Sequence, residues 1–277
     1  MRVFPERRRP FFASWRVRSS AALVAASLLA CGGPEFTTAA SAGDDSGTGP
    51  HGDAGAPRFC TQDAGTHTFC DDFDGPALGS AWTDIQQTGG GAAITDSSLF
   101  FSAPHSLSAV VPASPATSSD RAQVVKSFGT QVSHIVTNLE LYIDAVGPKT
   151  ALGADALFFV GLGANGGYML GLDANADNVG FFEEAIGDGG ALAAPLSAKT
   201  LVPTSGLLKT WTSVTFDVDL AKSTVSISLN GTLELSNAPI TPPAGSPPVL
   251  LYVGLQSRNI SSPMGAHYDN VTVDVTP

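Results

Sequence analysis

Within Thr212-Ser213-Val214-Thr215-Phe216-Asp217-Val218-Asp219-Leu220, polar and apolar residues alternate without a break from Ser213 to Leu220. A period of two is the period of a β-strand, so Val214, Phe216, Val218 and Leu220 share one face, and Ser213, Thr215, Asp217 and Asp219 share the other. The next run, Thr224–Leu229, alternates in the same way and ends at Asn230-Gly231. Both central residues of a tight hairpin turn need positive φ, and Asn-Gly meets that need at least cost. Trp211 to Ser236 therefore reads as strand, turn at Ala221-Lys222-Ser223, strand, tight turn and strand. Such a meander has one apolar face, which must be covered by a second layer.

The same signature recurs from Phe59 onward. Runs rich in Val, Ile, Leu, Phe and Thr, broken by Gly, Pro, Asn and Asp, predict strands near His67–Phe73, Thr83–Gln87, Ala93–Ile94, Ser98–Ser102, Ser106–Val111, Ala122–Phe128 and His134–Ala145. Others follow near Ala156–Gly161, Tyr168–Asp173, Val179–Ala185, Trp211–Leu220, Thr224–Leu229, Thr232–Ser236, Val249–Ser257 and Ala266–Val275. One helical or irregular patch is expected around Ala191–Thr200. The class is all-β, a sandwich or barrel filling residues 58–277.

The first 57 residues do not share this pattern. Arg2, Arg7, Arg8, Arg9, Arg16 and Arg18 precede an apolar run, Ala21 to Ala30, that is too short to span a bilayer. It has the shape of a secretory signal. Leu28-Leu29-Ala30-Cys31 resembles the bacterial lipobox, which implies lipidation of Cys31 after removal of residues 1–30. The other reading is an unlipidated signal with Cys31 incidental. By resemblance to the usual sorting rule, Gly32 after the cysteine implies the outer membrane, so the expected location is the bacterial envelope, held to the membrane by a lipid anchor. Residues 31–57 are Gly, Ala, Ser, Thr, Asp and Pro with few large apolar residues, and are expected to form a disordered tether. About 26 such residues span roughly 27 Å.

Removing the leader's six arginines and one glutamate from 14 basic and 25 acidic residues leaves 8 and 24, a net charge of −16. That balance does not suit nucleic acid, whose phosphates recruit Lys and Arg. If Cys31 carries lipid, Cys60 and Cys70 remain as the only pair, and an oxidising compartment predicts that they form a disulfide.

Several spans resemble concanavalin A-like lectin/glucanase domains, including laminin G-like jelly rolls. Phe69-Cys70-Asp71-Asp72-Phe73-Asp74-Gly75 with Trp82 is similar to their opening strand, Lys209–Asp217 with Asn230-Gly231 to an internal strand and turn, and Tyr268-Asp269-Asn270-Val271-Thr272-Val273 to their last strand. The resemblance implies a two-sheet antiparallel jelly-roll β-sandwich with a concave face that takes glycans. It also implies a structural calcium ion where first and last strands meet, with Asp72 and Asp269 as its ligands. Trp82 and Trp211, lying in these motifs, are expected in the core.

Catalytic signatures are absent. The spaced carboxylates of glycosidases of this fold are missing, and the adjacent Glu183 and Glu184 point to opposite faces of a strand. The Arg, Gln-His and Tyr signatures of jelly-roll polysaccharide lyases are not visible. Gly161-Leu162-Gly163-Ala164-Asn165-Gly166 fits a dinucleotide-binding pattern literally, but a β-like run follows it where a helix is needed, so it reads as a turn. Asp173-Ala174-Asn175-Ala176-Asp177, with Glu184 at the twelfth position, matches the acidic positions of a calcium loop but lies between strands and reads as a polar hairpin. Tyr168 and Glu183 are the candidate glycan contacts. The expected function is an anchored, non-catalytic glycan-binding or adhesive module. The alternatives are a glycoside hydrolase or polysaccharide lyase of the same fold, and a structural envelope protein without a small ligand.

Overall fold

The computed structural model describes residues 58–62, 67–113, 119–148, 155–163, 167–186, 192–245, 247–258 and 262–277. The leader, Cys31 and the tether lie outside the described residues. Among the described residues, a four-residue helix, Phe59–Gln62, is followed by fifteen strands: β1 (Phe69–Asp71), β2 (Asp84–Thr88), β3 (Ala92–Asp96), β4 (Ser106–Val111), β5 (Ser119–Gly129), β6 (His134–Ala145), β7 (Asp155–Leu162), β8 (Tyr168–Ala174), β9 (Asn178–Ile186), β10 (Leu192–Pro203), β11 (Trp211–Asp219), β12 (Thr224–Leu229), β13 (Thr232–Pro239), β14 (Val249–Arg258) and β15 (Met264–Thr276).

The strands form two antiparallel sheets. The first runs β13-β12-β11-β6-β15-β4-β3, with β1 added to β15, and the second runs β10-β9-β8-β7-β14-β5-β2. The β11–β13 meander forms as its alternation predicts. Val214, Phe216 and Val218 are buried, and Asn230 and Gly231 take φ of 49° and 75° between β12 and β13. Leu139, Leu141, Ile143 and Val273 of the first sheet meet Val160, Leu170, Leu172, Leu251 and Val253 of the second in one core. Phe158 and Phe216 touch edge to face across it at 5.1 Å, and the Tyr268 hydroxyl donates to the Leu157 carbonyl at 2.7 Å. The fold is thus an all-β jelly-roll sandwich.

Two local expectations are corrected. Residues 192–203 form β10, paired antiparallel with β9, not a helical or irregular patch. Ser98–Ser102 is not a strand, because the Asp269 carboxylate takes the Phe101 and Ser102 N–H groups that a ladder would need.

The chain opening is stapled to β1. Cys60 and Cys70 are disulfide-bonded, and the Cys60 N–H donates to Asp72. Trp82 is in the core as expected. Its ring meets Phe69 at 4.9 Å and stacks on Phe73 at 6.1 Å, and its indole N–H donates to Asp71.

Candidate functional site

A sheet with one solvated face normally alternates apolar and polar side chains. The second sheet departs from this. Residues opposite one another in an antiparallel ladder project to the same side, so the register defines a row across six strands: Asp84, Val125, Tyr252, Phe159, Gly171 and Phe182. This row alternates with the interior residues Val124, Val253, Phe158, Leu172 and Phe181, so it points away from the core. Val125, Phe159, Met169, Phe182 and Tyr252 nonetheless form their own cluster and are only 1–6% exposed. Tyr252 stacks on Phe159 at 4.4 Å with 17° between the rings, and Phe182 meets Phe159 edge to face at 6.3 Å.

The neighbouring rows are polar. Gln86, Gln123 and Gly254 form the next row, and Thr88, Arg121 and Gln256 the one beyond. Gln86 Oε1 accepts from Arg121 Nη1 at 2.9 Å and from Gln123 Nε2 at 3.1 Å. Gln123 is fully buried and its Oε1 has no partner among the described residues. A buried acceptor left unpaired costs about 1–3 kcal/mol. Burial pushes the Tyr252 phenol up, with Arg121 pulling it down and Asp84 adding to the rise. Two glycines let the strands of this face approach closely. A Cβ on Gly171 would lie 2.2 Å from the Phe158 carbonyl oxygen. One on Gly254, whose φ is +123°, would lie 2.2 Å from the Ala122 carbonyl oxygen.

Aromatic rings beside planar amides and a single guanidinium are residue types that take polyhydroxylated ligands; with the rings at most 6% exposed, a ligand meets their edges and hydrogen-bonds to the partly exposed Gln86 and Arg121. The described carboxylates on this face are Asp84, Asp173 and Glu184. Asp84 and Asp173 sit four strands apart, roughly 19 Å. Asp173 and Glu184 are offset by four residues along neighbouring strands, roughly 14 Å. Glycosidase pairs need ~5–9.5 Å. The described histidines, His67, His105, His134 and His267, pair with Asp274, Asp74, Asp217 and Asp96 on the first sheet or the segments beside it.

The residues singled out from the sequence are placed elsewhere. Tyr168 and Glu183 point inward. The buried Tyr168 hydroxyl donates to Glu183 Oε1 at 2.6 Å, which also accepts the Thr241 N–H and hydroxyl at 2.6 and 2.7 Å. That network ties the Pro-rich segment after β13 to β9, away from the outer face. Asp72 accepts the Cys60 and Asp74 N–H groups, while Asp269 accepts those of Phe101, Ser102 and Asn270. The two acids thus have separate partners, and no group of three His, Cys, Asp or Glu among the described residues is arranged to hold a metal. Asn175 closes the β8–β9 hairpin by accepting the Asp177 and Asn178 N–H groups, and the glycine-rich segment after β7 joins antiparallel β7 and β8.

Trp211 is the clearest correction. It is half-buried on the outer face of the first sheet, outside the core. The alternation that buries Val214 and Phe216 already places Trp211 with Ser213 and Thr215. The face of the second sheet also had a sequence signal that motif searching passes over. Ala156–Gly161 and Val249–Val253 are apolar at consecutive positions, the pattern of strands covered on both sides.

No family model and no curated protein matches the chain. Solved structures do. An endo-β-1,4-glucuronan lyase from the fungus Trichoderma reesei aligns with a TM-score of 0.59 and 12% identity, covering 76% of this chain and 96% of the lyase. A cellulose-induced protein, Cip1, aligns with a TM-score of 0.55 and 13% identity, covering 75% and 97%. The likeness is one of fold.

Proposed function

We propose that this chain is a cell-envelope lipoprotein, anchored through Cys31, whose jelly roll binds a polysaccharide across the outer face of the second sheet. The observation that carries the reading is the apolar cluster of Phe159, Tyr252, Phe182 and Met169 on the outer side of the second sheet, bordered by Arg121 and three glutamines. The lipobox-like segment and the acidic linker support the anchor and tether. The test is a binding panel of neutral and uronate polysaccharides against the full chain. Saturable binding to at least one is expected, and a flat panel removes the reading. Radiolabelled fatty acid should be incorporated by the wild type and not by Cys31→Ala.

A second reading is a polysaccharide lyase. It rests on the convergence of Arg121, Gln123 and Tyr252 on neighbouring positions of β5 and β14. β-Elimination leaves an unsaturated uronate that absorbs in the ultraviolet. An absorbance rise on a bound uronate polymer, abolished by Tyr252→Phe, would establish that reading, and an unchanged polymer would leave binding alone.

A further inference from the structure

Four rings form a second strip on the opposite side of the molecule. In the first sheet, Trp211, Tyr142 and His267 are opposite one another on β11, β6 and β15 and project away from the core. Phe101, 52% exposed, adjoins them from the loop before β4. The ring centroids are 5.9 Å apart for Phe101–Trp211, 5.4 Å for Tyr142–Trp211 and 5.9 Å for Tyr142–His267. The spacing of the strand-borne rings follows from the ~4.8 Å separation of strands, so the strip crosses the sheet at right angles to them. The loop that carries Phe101 is fixed in advance. The Phe101 and Ser102 N–H groups both donate to Asp269 Oδ2 at 2.9 Å, so little order is lost when a ligand settles there.

The surroundings are acidic. Asp96 Oδ2 lies 3.6 Å from His267 Nδ1, Asp144 is half exposed at the end of β6 with the exposed Lys209 Nζ 3.9 Å from it, and both carboxylates act electrostatically on His267. A peptide that joins a sheet as an added strand does so at an edge, through backbone groups. Here β11, β6 and β15 are interior strands, so a ligand must lie on the side chains. Rings in a row offer faces to successive sugar units, and carboxylates beside aromatic rings favour a cation.

We infer that the Phe101–Trp211–Tyr142–His267 strip is a second carbohydrate site, selective for a linear glycan bearing free amino groups, whose ammonium groups meet Asp96 and Asp144. Combined with a glycan on the second sheet, it would let one domain bridge two polymers.

Calorimetric titration of the full chain tests this with three probes: a fully deacetylated β-1,4-linked glucosamine hexamer, its N-acetylated counterpart and a lysine hexapeptide. The deacetylated hexamer is expected to bind ~tenfold or more tightly than the other two. Phe101→Ala and Asp144→Asn, both at exposed positions, should each weaken it several-fold, whereas Tyr252→Ala on the second sheet should not. Equal binding of both hexamers, no binding of the deacetylated one, or equal binding of the lysine peptide overturns the assignment. So does a loss of binding in Tyr252→Ala that matches the loss in Phe101→Ala.

Discussion

Asp269 holds the Phe101 loop onto the first sheet, and its ionisation sets a measurable pH dependence. The side chain has no exposed surface, and burial is the largest influence on it, pushing its pKa from the ordinary 3.8 up to about 7 against the opposing N–H donors. A carboxyl with a raised folded pKa binds protons more tightly in the native state. Its stabilising contribution is therefore fully present below the unfolded value near 4 and is lost as pH rises through about 7. A separation of about 3 pH units at ~1.36 kcal/mol each gives about 4 kcal/mol. Asp269→Asn cannot titrate, so the difference between wild type and variant isolates this group from Asp71, Asp74 and Glu140, whose pKa values burial also raises, and from His267, whose pKa burial lowers. Urea denaturation from about pH 4 to pH 8 measures it. The stability of wild type relative to Asp269→Asn should fall by about 4 kcal/mol across that range, most steeply between pH 5 and 7. A difference that stays constant, or that grows with pH, refutes the reasoning and shows that the N–H donors outweigh burial.

Other perturbations have equally direct readouts. Replacing both Cys60 and Cys70 by Ser opens a loop with a sequence separation of 10 and should cost about 3 kcal/mol, measured as a drop in the urea midpoint. Tyr168→Phe removes a buried donor to the Glu183 carboxylate and should cost about 1.5–3 kcal/mol while leaving polysaccharide binding unchanged, and a binding defect at unchanged stability would place Tyr168 in the site after all. Because Asp72 and Asp269 are satisfied by N–H donors, a chelator should leave the melting temperature where it was, and stabilisation by added calcium would instead assign an ion to the chain.

The β11–β13 meander was readable because each of its strands has one wet face, so alternation fixes register and Asn230-Gly231 fixes the turn. β7 and β14 were readable as strands, but not by face, since both sides are apolar and periodicity carries no orientation. The outward direction of Phe159 and Tyr252 therefore emerges only from the strand register. Arg121, Gln86 and Gln123 come from two strands 30 or more residues apart in sequence, and only the β2–β5 register brings them together. Ser98–Ser102 read as a strand from its composition, but a carboxylate more than 160 residues away takes its amide hydrogens. Propensity cannot anticipate such a partner. Trp211 was misplaced for a different reason, since its motif outweighed an alternation that already placed it outside.

The most direct test of the account is equilibrium binding of β-1,4-glucuronan and of a neutral β-1,4-glucan to wild type and Tyr252→Ala, with urea midpoints confirming that both proteins fold. Tyr252 contributes the ring stacked on Phe159 and sits in the row beside that of Gln86 and Gln123. The account predicts that wild type binds at least one polymer and that Tyr252→Ala weakens it ~tenfold or more. Undiminished binding by a folded Tyr252→Ala protein, or no binding of either polymer by wild type, would contradict it.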